Sequence, residues 1–358
     1  MANRPAAVVH ITDLFRPHDD PDDHWDLATQ YALAARGDTR LVAVLIDGPR
    51  RNRAKDPDIL AVAQLNHITG LSVPALAGAP DTFPFDADMK DPAVRNSIEL
   101  AGIRALHRLL RESPDPVVIT VTGWCRDLII LSRFDPELFA EKCAGVYLNA
   151  GLGAPDPAEQ TKMNWNVALD PPSYIESFSL RIPIYWLPCY HAPGCVRLGP
   201  DARYGSLYEF RQGEVLRELS DPMRNYFLSM FRDGGKGPGR ADWLTTLYQK
   251  PDEELLEPEA KRTRRMWCTA GMLHMVGKTV LPDGTIAPLD KAGEREVYAF
   301  RPIRVKCDRL GRTSWTFGEP AKAEADRFIF EVRDTENYRD AMGKALRCLI
   351  LELGTRER

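Results

Sequence analysis

Six aspartates fall within residues 12–26, TDLFRPHDDPDDHWD. Carboxylates this close repel one another unless a cation neutralises them or water screens them. Hard divalent cations such as Ca2+ take carboxylate and carbonyl oxygens from loops of this kind. A plainer account has Asp19 and Asp20 solvated and Asp22 or Asp23 capping a helix that follows. Capping does not explain why the acidic run directly follows a buried apolar stretch. The pattern therefore points to a metal or ligand site within this acidic run. It is not an EF-hand, because the D-x-D-x-D-G-x5-E spacing is absent.

A frame must hold these acids in place. Residues 6–12 (AAVVHIT) form a short β-branched apolar run, the signature of a buried strand. Residues 24–36 space Trp25, Leu27, Ala28, Tyr31, Ala32 and Ala35 as a helix does, with acids where a helix start favours them. Strands are expected at 41–46, 74–76, 117–122, 144–148 and 184–187. Helices are expected at 58–69, 96–111, 127–133 and 173–180. This alternation predicts an α/β fold, a mostly parallel, Rossmann-like sheet flanked by helices on both faces. Ligands of such sheets bind at the carboxyl ends of the strands, where the acidic loop lies. From about 204 to 265 the pattern changes. Helical segments at 208–219, 222–231 and 241–248, broken by GGKGPG at 234–239, read as a helical insertion or cap. A strand pair at 303–307 and 313–317, a strand at 327–332 and a helix at 338–353 complete one domain, 1–358.

The chain has 358 residues, 44% of them hydrophobic and 27% charged, with a formal net charge of −4. That balance fits a globular protein and argues against general attraction to nucleic acid. The short basic clusters at 50–53 and 261–265 read as solvated faces. Seven cysteines without a CxxC pair fit neither a zinc-finger pattern nor a secreted disulfide framework. No run approaches bilayer-spanning length and no signal-like apolar region opens the chain. A cytoplasmic protein, without membrane or nucleic-acid partners, is the expectation.

Beyond these patterns, the sequence resembles the inosine–uridine preferring nucleoside hydrolases. That family's signature is a first strand, a D-x-D…DD loop and an apolar helix, matched by VVHITD, PDD and HWDLATQYALA. Further landmarks follow in order. LVAVLID resembles the second strand, GLSVPALAGAP the "vPVyaGa" segment and VVITVTGWCRDL the "GPLTNL" turn. GVYLNAGLG resembles the "MGG" strand end, MNWNVALDPP the "EFN…DP" segment, and FIFEVRDTENYRDAMGKALRCLI the terminal strand and helix.

The resemblance implies a Ca2+ ion, with Mg2+ less suited, that holds the attacking water and two ribose hydroxyls, with a nucleoside or other ribosyl compound as substrate. Asp13 matches a metal ligand and the general base, Asp23 the second metal carboxylate, and Asp22 the carboxylate that binds a ribose hydroxyl. Arg126 falls where the family offers a backbone carbonyl to the metal. Asn164 and Asn166 lie on the sugar-binding segment, where amides both donate and accept; turn chemistry before Asp170-Pro171 is their other reading. A homo-oligomer, dimer or tetramer, follows by analogy.

Departures are plain. Ile11 replaces the first Asp of D-x-D. The loop before Asp22 is longer, leaving Asp19, Asp20 and Asp26 as possible substitutes. Asp47 stands where an Asn is expected, and Asn164 replaces a Glu. Trp267 and Cys268 occupy the positions of a His-Asp pair whose Asp completes the calcium site, and a thiol is a poor Ca2+ ligand. Trp267 either stacks on a base or packs in the core. His274 lies two helical turns beyond that pair, where core packing is its usual role. His18, His24 and His191 are open as leaving-group acids, and Tyr185, Trp186 and Tyr190 as base-pocket walls. Three functions compete: an N-glycosidic hydrolase, an altered homologue that binds a nucleoside or sugar without turnover, and a Mg2+ phosphohydrolase. The last lacks both a DxDx[TV] nucleophile and a phosphate-cradling glycine loop.

Overall fold

The computed structural model describes residues 5–16, 21–48, 56–154, 156, 158, 160, 163–189, 202–231, 241–318 and 326–355. His18, Asp19, Asp20, the basic cluster at 50–53, Tyr190, His191 and the glycine-rich 234–239 lie outside them.

The parallel strands are β1 (Ala6–Thr12), β2 (Thr39–Ile46), β3 (Ala75–Ala77), β4 (Val117–Val121), β5 (Cys143–Asn149) and β6 (Ile184–Leu187). A two-stranded antiparallel pair, β7 (Tyr208–Arg211) and β8 (Thr263–Met266), stands apart from the main sheet. The long β9 (Tyr298–Cys307), β10 (Thr313–Phe317) and β11 (Arg327–Val332) close the set. Nine strands form one sheet in the order β10-β9-β11-β6-β5-β4-β1-β2-β3. Every neighbouring pair from β11 to β3 is parallel, and β9 runs antiparallel to both of its neighbours. The predicted α/β class is thus the observed one.

Helices cover both faces. On one side lie α1 (Asp22–Arg36), α2 (Ile59–Thr69) and, from the far end of the chain, Tyr338–Thr355; the core beneath them includes Val8, Val44, Leu27 and Leu346. On the other side α3 (Ala101–Glu112), α4 (Arg126–Phe134), α5 (Pro136–Lys142), α6 (Trp165–Leu169) and α7 (Pro171–Ser177) pack over Val9, Ile119 and Val146. Because strand side chains alternate, Val8 and Val9 fall into different layers, which is why β1 reads as a continuous apolar run.

The stretch 204–265 is not purely helical. Residues 208–219, expected as one helix, form β7 and then a short helix, Gly213–Leu216. Tyr208 and Phe210 are buried while Glu209 and Arg211 point outward, the period of a strand. The rest holds α8 (Asp221–Ser229), a 3-10 turn at Thr245–Tyr248 and α9 (Glu253–Lys261). It packs on the α1 side, with Phe227 stacked on Trp25 at 3.9 Å between ring centroids and the Tyr226 hydroxyl donating to the His24 carbonyl. The basic cluster at 261–265 is not wholly solvated either: Arg264 is buried and its Nε donates to Gln212 Oε1. The helix expected at 96–111 is interrupted, because Ser97 takes an extended conformation and its side chain caps a 3-10 turn ahead of α3. Among the described residues, no helix is long and apolar enough to cross a membrane.

Candidate functional site

β1, β2 and β4 end side by side, and their last residues are stitched together. Asp47 N–H donates to the Thr12 carbonyl and Thr122 N–H to the Ile11 carbonyl, both at 2.9 Å. Asp13 follows β1 directly, and α1 then brings Asp22 and Asp23 back to the same place. Neither acid caps α1. The N-cap is Pro21 with no side-chain hydrogen bond, and both acids lie in the first turn, where the helix dipole favours negative charge.

Asp23 is tied to the strand ends. Its Oδ1 accepts from the Thr12 hydroxyl at 2.7 Å and from the Thr122 hydroxyl at 2.9 Å. Its carboxyl also hydrogen-bonds Asp13. Burial first, then the charges of Asp13 and Asp22, hold Asp23 well above the usual carboxylate range. Two carboxyls in hydrogen-bond contact need a proton or a cation between them.

Glycine is required at 123 by a close approach. A Cβ there would lie 2.5 Å from Asp47 Oδ2 and 2.8 Å from the Asp13 nitrogen. The next backbone N–H, of Trp124, donates to Asp47 Oδ2 at 3.0 Å. Asp47 is fully buried and anchors the turn after β4. Asp127 braces the same turn from behind, accepting from the Ala79 N–H and the Trp124 indole. The Arg126 side chain points away from the aspartates, to Asp170 Oδ2 at 2.6 Å and the Phe83 carbonyl.

The two asparagines are divided in function. Asn166 spends both amide hydrogens on the carbonyls of Thr122 and Asn149, at 2.8 and 3.0 Å, which leaves its oxygen to accept. Asn164 accepts from the Gly151 N–H at 3.0 Å, and its side chain also hydrogen-bonds Cys189. Both are buried.

Cys268 closes the far wall. It sits at the N-cap of α10 (Thr269–His274), buried, within electrostatic reach of Asp22 and Asp23 and hydrogen-bonded to Asp26. Asp26 lies one turn along α1 from the paired aspartates, is 1% exposed, and has an Oδ1 with no hydrogen-bond partner. Burial raises its carboxyl to about 7. Trp267 is half-buried against the α1-side core, and its indole N–H is unpartnered.

Donor chemistry at Asp13 and Asp23 suits a hard cation, but the set is short of a full site. Among the described residues, no three His, Cys, Asp or Glu side chains converge as they would around a metal.

Other expectations are corrected. His24 Nε2 lies 3.3 Å from an oxygen of Asp58, the N-cap of α2. Tyr185 stacks between Tyr147 and Phe328 on neighbouring strands, and Trp186 is a core residue bonded to the Ala150 carbonyl. Successive strand residues enter opposite core layers, so neither reaches the pocket. His274 packs in that aromatic group with Nδ1 2.6 Å from the Tyr147 hydroxyl, and burial lowers it to about 4. Thr12, Thr122 and Asn149 went unnoticed in the sequence, where a strand-ending Thr is ordinary. So did Cys189, whose thiol donates to Asn149 Oδ1 and feels the charge of Asp22.

The architecture has clear counterparts among solved structures. A purine-preferring ribonucleoside hydrolase from Gardnerella vaginalis superposes with a TM-score of 0.54 at 12% identity, over 96% of this chain and 99% of that one. A plant nucleoside hydrolase gives 0.53 at 14%, with the same coverage. The chain has the nucleoside hydrolase fold. The type III effector XopQ, solved with adenosine diphosphate ribose, shares this fold with a TM-score of 0.50 at 15% identity, over 98% of this chain and 94% of the effector. No family model matches the sequence, and no curated protein matches it. Within the fold, the aspartates occupy the carboxyl ends of the central strands, where parallel sheets hold their ligands.

Proposed function

We propose that the chain takes the ribosyl group of a nucleoside or related compound at this pocket and hydrolyses its N-glycosidic bond. The observation that carries the reading is the Asp13–Asp23 carboxyl contact at the end of β1, held by the Thr12 and Thr122 hydroxyls. Asp13 and Asp23 would hold Ca2+ in preference to Mg2+, which demands a stricter octahedral shell, and the Arg126 carbonyl would be the third oxygen that the resemblance implies. Such an ion supplies acidity to a bound water.

Asp13 takes the proton from the attacking water as the bond to the base lengthens. Asp22 accepts from a ribose hydroxyl. The free oxygen of Asn166 accepts from a second hydroxyl, and the Asn164 amide donates to an ether or hydroxyl oxygen. Asp47 positions the turn against Asp13. Trp267 offers a face to a flat base.

One observation favours a second reading, a ribosyl-binding protein without turnover. Cys268 and Trp267 stand where the resemblance implies a ligand and an acid, and the Cys268 thiol is bound to Asp26. Reducing-sugar release from a nucleoside panel, with Ca2+ and with chelator, separates the two. Release abolished by Asp13→Ala supports hydrolysis. Saturable ribonucleoside binding without release supports the second reading, and the absence of both overturns the pocket assignment.

A further inference from the structure

A seam of polar side chains runs through the layer between α1 and the sheet, which is otherwise built from residues such as Val8, Leu27 and Val44. The strands contribute His10 and Thr12 from β1, on the side of Val8, with Thr120 in β4 and Thr122 just beyond it. On α1, Asp23, Asp26 and Gln30 stand at i, i+3 and i+7, one stripe of the helix. Every one of these side chains is buried, His10 and Gln30 completely.

The stripe is tied to the same two strands at both ends. Asp23 accepts from the Thr12 and Thr122 hydroxyls. Two helical turns further along, Thr120 is the junction. Its Oγ1 lies 2.9 Å from His10 Nδ1 and accepts from Gln30 Nε2 at 3.2 Å. His10 and Thr120 are direct cross-strand partners, so the junction fixes β1, β4 and α1 at one point.

That junction is incomplete. His10 Nε2 and Gln30 Oε1 are buried without a hydrogen-bond partner. Turning the Gln30 amide over presents its oxygen to Thr120 and leaves its nitrogen unpaired instead. Moving the proton between the ring nitrogens turns Nε2 from donor to acceptor and finds it no partner. Burial lowers His10 to about 3, so the ring is neutral. Both orphan atoms belong to groups that meet at one hydroxyl and lie within a few ångströms of it. Buried polar atoms are costly to leave unpaired, and a water, which donates and accepts, satisfies such atoms where they converge.

We propose that the seam holds an internal water that bridges His10 Nε2 to the free end of the Gln30 amide, and that His10 and Gln30 are thereby positioning residues, pinning α1 so that Asp23 meets the Thr12 and Thr122 hydroxyls. The water stands on the orphan atoms alone. The positioning role rests on the reading of the aspartates as a ligand pocket.

Crystallography of the full chain in chelator, at a resolution that shows ordered water, is the first test. Density should appear within hydrogen-bond reach of both His10 Nε2 and the Gln30 amide. Thr120→Val removes the junction hydroxyl with little change of shape and should fold, which circular dichroism checks; Gln30→Met is read in the same way if it does not. In the variant crystal Asp23 should part from the Thr122 hydroxyl, and calcium affinity by calorimetry should fall several-fold. Thr120→Ser should restore both. Leu346→Ala, which thins the buried packing on α1 away from the seam, should leave calcium affinity unchanged. A dry junction in the wild-type crystal overturns the water. Asp23 unmoved in Thr120→Val, or an equal loss of affinity in Leu346→Ala, overturns the positioning role. Absence of calcium binding by the wild type defeats the cation reading instead, and the water density and the position of Asp23 then decide this proposal by themselves.

Discussion

Replacing Asp26 with asparagine should flatten the dependence of stability on pH. Asp26 is 1% exposed, its Oδ1 has no partner, and the Cys268 thiol is its one hydrogen-bond donor of note. Burial raises the acid from 3.8 to about 7. The sign follows from where the proton is held. Between those two values the folded chain keeps a proton that the unfolded chain has lost, so stability falls as pH rises. The loss begins above the unfolded value and is complete once pH passes the folded one. The slope approaches about 1.4 kcal/mol per pH unit inside the window, and the whole window amounts to about 4 kcal/mol.

Urea unfolding at pH 5 and pH 8 in chelator reads this directly. The wild type should lose about 2–3 kcal/mol more than Asp26→Asn between those two points. A constant offset from the new amide, on the order of 1–3 kcal/mol if its N–H finds no acceptor, cancels in the comparison. Parallel profiles for the two proteins would refute the argument and mean that Asp26 is already ionised in the folded state. Asp23 also contributes to the wild-type profile, but equally in both proteins.

Arg126→Ala should cost about 3–5 kcal/mol by urea unfolding, because it strands the buried Asp170 carboxylate, and a cost under 1 kcal/mol would show that water already reaches the pair. Gly123→Ala should destabilise by about 1–3 kcal/mol, since the added methyl collides with Asp47 Oδ2 and the Asp13 backbone, and it should weaken ribosyl binding in the same preparation. Unchanged binding by calorimetry would separate the turn after β4 from the pocket.

The fold was legible where chemistry is local. β1, β2, β4 and β5 are β-branched or apolar runs bounded by polar turns, and Gly37 ends α1 in the left-handed conformation that glycine permits. β7 and β8 were not legible, because each finds its partner about fifty residues away and their charged outward residues read as a helix and a solvated basic patch. The site divides in the same way. Asp13, Asp22 and Asp23 announce themselves as a crowded run. The Thr12 and Thr122 hydroxyls, Asn149 and Cys189 meet them only through the sheet, and no spacing in the chain encodes that. Asp47, expected at the substrate, is buried and also holds the Trp124 N–H, a contact the sequence does not signal, since a polar residue after a strand carries no sign of which way the next turn folds over it.

The thiol at 268 deserves its own explanation, because it is the point where pocket and resemblance part. A carboxylate there would add a further charge to a buried group in which Asp23 is already raised by its neighbours and Asp26 is held near neutrality by burial. Without a cation, each additional buried carboxylate must take up a proton or destabilise the fold. A thiol avoids that cost, because burial and the nearby acids push it well above its ordinary value and keep it neutral. A neutral Cys268 thus adds no charge to the buried group, and under the proposed cation reading it would take the place of a ligand oxygen. Cys268→Asp should therefore reverse both effects. Calcium affinity, by calorimetry in the presence and absence of chelator, should rise at least tenfold, and the calcium-dependent rise in melting temperature should grow with it. The new side chain can also cap α10, which is worth about 1 kcal/mol with or without the ion, so the decisive quantity is the difference between the two conditions. If that difference matches the wild type, the aspartates at the end of β1 do not form a cation site, and the ribosyl-binding reading without turnover gains.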